Sequence, residues 1–195
     1  MNSTGDWDFS NSNWDLDTVI YVSSPSSWHK TVTLGYTRGL IKTSVVPINK
    51  VKEGRFVTWI YFTVSSSLEF LIYFRYQDTN SHYRIWIYEE ASPSGRRWRV
   101  ERIDAGVITT LREAYVPFPE NQTWNKLRVT WWNDYVGLVI RVEKWNGTAW
   151  EKLFDDTYDT ANEWADVGGR VGFMGFSTNS VSCGNIDDTE IYGIE

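Results

Sequence analysis

Cysteine, histidine and proline are scarce in this 195-residue chain, which has one, two and five of them. A lone Cys183 closes no intramolecular disulfide, and one cysteine with two histidines cannot complete a Cys/His zinc site. No stretch approaches the ~18 consecutive apolar residues of a membrane-spanning helix. The opening Met1-Asn2-Ser3-Thr4-Gly5 lacks the basic and apolar regions of a secretory signal, so a secreted reading implies a leader already trimmed. Positive charge is short as well. The 19 Lys and Arg against 25 Asp and Glu give a formal net charge of −6, which leaves no basic excess for a nucleic-acid backbone. Sustained helical periodicity is missing; only Thr160–Ala165 offers a helical turn.

What the chain has in quantity is aromatic side chains: twelve Trp, eleven Tyr and nine Phe. With few prolines and a run of two-residue alternations, this composition favours strands. Period-2 segments follow one another as Thr18–Val22, Thr31–Tyr36, Leu40–Val46, Arg55–Val64, Leu68–Gln77, His82–Glu90 and Arg97–Ile103. Val107–Leu111, Trp124–Trp132, Val136–Trp145, Ala149–Phe154, Arg170–Phe176 and Asn185–Tyr192 complete the set. Short strands at this spacing predict an all-β, two-sheet antiparallel β-sandwich. The chain reads as one domain over 1–195, monomeric, with 1–17 an irregular lead-in. Asn146-Gly147 lies between two strand patterns and predicts a type I′ turn that sets Trp145 beside Trp150. Thr79-Asn80-Ser81 and Pro93-Ser94-Gly95 mark further tight connections, so Leu68–Ile103 reads as three consecutive antiparallel strands.

Four segments resemble a known superfamily. Ser24–Leu34 (SPSSWHKTVTL) looks like the early strand pair of carbohydrate-binding modules of the concanavalin A-like jelly roll. Trp124-Asn125-Lys126-Leu127-Arg128-Val129 looks like a W-x-x-L-x-V strand of laminin G-like sandwich domains. Gly169–Phe173 and Ile186–Tyr192 are similar to their closing strands. The resemblance implies two antiparallel sheets, a glycan-binding face and, in many members, a structural calcium.

Strand alternation divides each segment into two faces. Phe56, Thr58, Ile60, Phe62 and Val64 form one set; Phe70, Ile72 and Phe74 with Leu68 and Tyr76, then Tyr83, Ile85 and Ile87, continue it as core. The opposite set mixes flat aromatics with Arg, Glu and Gln. A pyranose offers an apolar C–H face to an aromatic ring and hydroxyls to charged groups, so this mixture suits sugar. Trp59, Tyr61, Tyr73, Trp86, Tyr88 and Trp132 are the expected stacking residues, with Arg75, Arg84 and Arg128 as hydroxyl or carboxylate partners. The competing reading is cross-strand pairing on a solvent-facing sheet, with Arg opposite Glu69, Glu101 and Glu143.

A retaining glycosidase needs two carboxyls ~5–5.5 Å apart, which a strand supplies at i and i+2. Asp6-Trp7-Asp8 and Asp15-Leu16-Asp17 have that spacing but lie in the lead-in, and no Glu-x-Asp occurs. The expected function is therefore non-catalytic binding of a polysaccharide or oligosaccharide, as a targeting module of a larger extracellular or cell-surface enzyme, without nucleic-acid or membrane partners. A jelly-roll glycoside hydrolase or polysaccharide lyase, or an adhesion domain, is the alternative. In Ile186–Tyr192, Ile191 fixes the core parity, which turns Asp187 and Thr189 inward. A buried carboxylate must be paired. Calcium shared with Asp8 or Asp15 is one solution, and backbone N–H groups or an Arg the other.

Overall fold

The computed structural model describes residues 7–9, 14–17, 27–30, 35–42, 51–62, 68–88, 96–120, 122–161, 167–177 and 185–193. In chain order the strands are β1 (Trp7–Phe9), β2 (Trp14–Asp17), β3 (Ser27–Lys30), β4 (Gly35–Ile41), β5 (Gly54–Tyr61), β6 (Leu68–Asp78), β7 (Ser81–Tyr88) and β8 (Arg96–Asp104). They continue as β9 (Val107–Val116), β10 (Trp124–Asn133), β11 (Leu138–Trp145), β12 (Trp150–Lys152), β13 (Thr157–Asp159), β14 (Arg170–Ser177) and β15 (Asn185–Gly193). Two antiparallel sheets result. Sheet A runs β1-β4-β14-β6-β7-β8-β9 and sheet B runs β12-β11-β10-β5-β15-β3-β2, with β13 also on β11.

The inner faces follow the alternation of the sequence. Phe56, Ile60, Leu127, Val129, Trp131, Ile140 and Val142 of sheet B pack against Phe70, Ile72, Phe74, Ile85, Ile87, Trp98 and Val100 of sheet A in one cluster. The Phe74 and Trp131 rings meet across the two sheets at 5.0 Å. Burying such side chains contributes about 1.5–3 kcal/mol each relative to exposure, and this burial is what chiefly holds the sheets together.

Several local expectations change. The lead-in contains strands: β1 pairs with β4 in sheet A and β2 with β3 in sheet B. The hairpin at Asn146 brings Trp145 opposite Trp150, their rings 5.4 Å apart, as expected. Its turn is not type I′, because only Gly147 has positive φ. Asn146 Oδ1 instead accepts the N–H groups of Thr148 and Ala149, an Asx turn. The two-residue turn with both φ positive joins β8 to β9 through Ala105 (φ 47°) and Gly106 (φ 81°). Strands β6, β7 and β8 are the predicted consecutive antiparallel run. The segments Thr18–Val22 and Pro93-Ser94-Gly95 lie outside the described residues, as does most of Thr160–Ala165.

Candidate functional site

The nine expected sugar-binding residues do not share a face. Tyr73, Arg84, Trp86 and Tyr88 belong to β6 and β7 of sheet A, whereas Trp59, Tyr61, Arg128 and Trp132 belong to β5 and β10 of sheet B. The sandwich core separates the two groups, so they cannot form one platform.

Arg75 leaves the platform altogether. It sits at a bulge of β6 with φ 47° and is fully buried. Its Nε–H donates to the Lys52 carbonyl at 2.7 Å and Nη2 to Asn133 Oδ1 at 2.9 Å, which ties sheet A to the end of β10. The irregularity inverts the alternation. Arg75 turns in, and Tyr76, expected in the core, joins Leu40, Leu71 and Tyr73 in a second apolar cluster against which Trp86 and Met174 pack. Tyr73 is likewise buried rather than open to a ligand, its hydroxyl donating to Met174 Sδ at 3.3 Å. His82 is buried beside the Tyr73 and Tyr76 rings.

On sheet B each expected aromatic is already engaged within the sheet. The Lys126 ammonium lies 5.4 Å from the Trp59 ring, the Arg141 guanidinium 5.0 Å from Trp132, and Tyr61 packs on Trp124 at 5.5 Å. Arg128 stands 4.3 Å over Trp150 and forms a bidentate pair with Glu143 at 2.6 and 2.7 Å. Arg141 does the same with Asp156, which also accepts from Lys152. These bonds hold the Asp156 carboxyl below its usual range, the Arg141 hydrogen bond being the largest cause. Cross-strand pairing accounts for these contacts.

Sheet A is different. Strand register sets Met174, Leu71, Trp86, Arg99 and Glu113 in one row across β14, β6, β7, β8 and β9. Glu69, Tyr88, Arg97 and Tyr115 form the neighbouring row. Between β14, β6 and β7 a cavity of about 250 Å3 is lined by Glu69, Leu71, Arg84, Trp86 and Met174. Leu71 and Met174 supply apolar surface and Trp86 an aromatic wall. The Trp86 indole N–H donates to Glu69 Oε2 at 3.1 Å, and its ring leans on Tyr88 at 4.6 Å. Arg84 Nε–H donates to Glu101 Oε2 at 2.7 Å, while Arg97 and Arg99 converge on Glu113 at 2.6 and 2.7 Å. These last two bonds, that from Arg97 first, hold the Glu113 carboxyl below its ordinary value. The cross-strand pairs Arg84 with Glu101 and Arg128 with Glu143 follow the expectation. Glu69 accepts from the Trp86 indole N–H.

Leu71, Met174 and Glu69 complete the cavity and were not among the residues expected to bind sugar. The signal for Leu71 is visible in β6, where it interrupts an otherwise polar and aromatic outward set. Met174 has no local signal, since β14 reaches β6 only through the fold. Glu69 and Glu143 lie on opposite sheets and do not form a carboxylate pair. Glu69 and Glu101 sit two strands apart and four register positions along, roughly 16 Å at ordinary strand spacing, far beyond the ~5–5.5 Å of a retaining pair.

Asp8 and Asp187, two of the expected calcium ligands, do not come together. Asp8 is in sheet A, ion-paired with Arg170, while Asp187 is in sheet B. Asp15 lies on β2 and its side chain is outside the described part. Asp187 is fully buried, but it lies on the Trp59 side of sheet B rather than inward as expected, and Ile191 does not set its parity. A bulge between Asp187 and Glu190 puts Asp187 opposite Trp59, while Ile186 and Ile191 both face Ile60 and Phe56. Thr58 Oγ1 donates to the Asp187 carbonyl at 3.1 Å. Among the described residues no group of three or more His, Cys, Asp or Glu is placed to hold a metal ion.

No family model and no curated protein matches the chain. Solved structures do. The carbohydrate-binding module CBM66 from Bacillus subtilis is 12% identical with a TM-score of 0.60, and the match covers 99% of both chains. The winged bean acidic lectin, complexed with methyl-α-D-galactose, is 9% identical with a TM-score of 0.65 over 98% of this chain and 94% of the lectin. An engineered GH43 glycoside hydrolase with endo-xylanase and exo-arabinofuranosidase activity is 10% identical with a TM-score of 0.60, over 100% of this chain and 39% of the enzyme. At such identities the likeness shows the fold, a concanavalin A-like jelly-roll sandwich.

Proposed function

We propose that the chain is a non-catalytic carbohydrate-binding domain whose site is the sheet A cavity at Trp86. The observation that supports this most is the lining. An aromatic wall and an apolar floor from Leu71 and Met174 stand beside a carboxylate, Glu69, and a guanidinium, Arg84. That is the complement of a pyranose, which is apolar on one face and rimmed with hydroxyls. In this reading the domain targets a larger extracellular enzyme to its polysaccharide. A catalytic reading would need a carboxylate pair, and among the described residues of the two outer faces the carboxylates named above are separated or engaged by Arg.

Retention of the purified domain on immobilised polysaccharides, followed by elution with free sugar, tests the proposal. Retention on at least one glycan and release by its monosaccharide are expected. Failure to be retained on any member of a broad panel refutes the reading, and release of reducing sugar would move the chain to the hydrolases.

A further inference from the structure

Among the described side chains of β6 to β9, the charges around the cavity are matched in number. Arg84, Arg97 and Arg99 face Glu69, Glu101 and Glu113 across β6 to β9. Each of the three arginines already has a carboxylate. Arg84 is 2.7 Å from Glu101, Arg99 is 2.7 Å from Glu113 and 3.9 Å from Glu101, and Arg97 is 2.6 Å from Glu113. The Glu101 side chain is 1% exposed, so a ligand carboxylate cannot displace it without stripping the guanidinium above it of a buried partner. Glu69, at the cavity wall, adds like-charge repulsion against an anion.

Neutralisation does not silence Arg84 as a donor. Its guanidinium carries five N–H groups, and the bond to Glu101 uses Nε, leaving the terminal nitrogens for hydroxyl oxygens. Hydroxyl hydrogens in turn have the Glu69 carboxylate as acceptor. The cavity of about 250 Å3 is open to solvent and has room for a sugar ring.

Resting on the proposed sugar site, we infer that the cavity takes an uncharged sugar, and that Glu101 and Glu113 are the residues that exclude uronic acids by neutralising the neighbouring arginines. Glu101 and Glu113 act through the arginines and are positioning residues.

The test compares neutral polysaccharides (glucan, mannan, galactan, fructan) with polygalacturonate and alginate, at about 0.01 M and 1 M salt, where the screening length falls from ~30 to ~3 Å. The wild-type domain is expected to bind a neutral glycan with little salt dependence and to leave both uronans unbound. Glu101→Gln is expected to gain uronan binding by roughly tenfold, lost at high salt, because it frees one charge-assisted contact. Since Glu101 is buried and its replacement can unfold the domain, Glu113→Gln, whose side chain is 34% exposed, is measured beside it and is expected to gain in the same direction. Salt-sensitive uronan binding by the wild type, or no gain in a folded Glu113→Gln, overturns the inference and leaves the sugar site standing. Absence of binding to every glycan in the panel overturns the sugar site itself.

Discussion

Removing Trp86 and removing Trp150 should have opposite binding signatures, because the two rings occupy opposite faces of the sandwich and Trp86 lines the cavity proposed as the site. In Trp86→Ala the cavity loses its aromatic wall. An anchor of this kind contributes about 2 kcal/mol or more to binding, so affinity for the retained glycan should fall about thirtyfold. Stability falls too, since the ring packs on Tyr88 at 4.6 Å and lies 5.4 and 5.6 Å from the Arg84 and Arg99 guanidinium carbons. An aromatic pair contributes ~0.5–1.5 kcal/mol and an exposed cation–π contact ~0.5–1, which sums to about 2 kcal/mol and a Tm lowered by about 4–8 °C. Trp150→Ala loses the Trp145 contact at 5.4 Å and the Arg128 contact at 4.3 Å, a similar destabilisation. Its glycan affinity should stay within twofold of wild type. Titration calorimetry and thermal melts of both variants read the two quantities separately. Equal loss of affinity in the two variants would refute the assignment of faces, and a Trp86→Ala domain that is destabilised yet binds normally would refute the cavity as the site.

Asp159 accepts from the Tyr83 hydroxyl at 2.7 Å and from Arg102 at 2.8 and 2.9 Å while 3% exposed, so Asp159→Asn should cost about 3–5 kcal/mol in urea unfolding and Tyr83→Phe only about 1–3. Burial, then the hydrogen bond to Asp159, raises the Tyr83 phenol far above its ordinary value. Its contribution to stability is thus complete below pH ~10 and is lost only as pH rises beyond, and an ultraviolet titration of the folded protein should show Tyr83 still protonated there. The Asp156 carboxyl is depressed, so its contribution is present above the ordinary carboxyl value of ~3.9 and lost as pH falls through its lowered one; Asp156→Asn should flatten that part of the stability curve. A Cβ on Gly169 would stand 2.3 Å from the Arg75 carbonyl carbon, so Gly169→Ala should cost about 3 kcal/mol or more, whereas Gly147→Ala meets nothing within 4 Å and should cost about 1 kcal/mol through its φ of 101° alone.

The fold was legible because the burial that drives it is written locally. Phe56, Ile60, Phe70, Ile72, Phe74, Ile85 and Ile87 all appear at alternate positions, and all are buried between the sheets. A period of two leaves one choice of face per strand, and burial of the aromatic side makes that choice. Which strand belongs to which sheet is not local. β5 and β6 are consecutive and equally aromatic outside, yet they pair in different sheets, with β15 and β10 on one and β14 and β7 on the other. Nothing in the outward sets themselves, Trp59 and Tyr61 against Leu71 and Tyr73, tells that they end on opposite sides of the molecule.

Bulges account for the other departures from simple alternation, and one of them left a readable trace. Ile186 and Ile191 are five apart, so a regular strand cannot bury both, and yet both are apolar in a strand that is otherwise Asp, Thr and Glu. The conflict itself announces an inserted residue. Placing it between Asp187 and Glu190 satisfies both isoleucines and moves Asp187 to the register of Trp59, which is where it lies. Arg75 has no such trace. Phe74 and Tyr76 both read as good core residues on one parity, and an arginine between them reads as solvent-facing. What reverses it is tertiary: the Lys52 carbonyl and Asn133 side chain give its guanidinium two acceptors inside the protein, and the Gly169 backbone lies close enough to pack against it. A buried charge with directional partners can outweigh alternation at one position. The same reversal places Tyr76 with Tyr73 and Leu71, and so builds the apolar cluster against which Trp86 and Met174 rest beside the cavity.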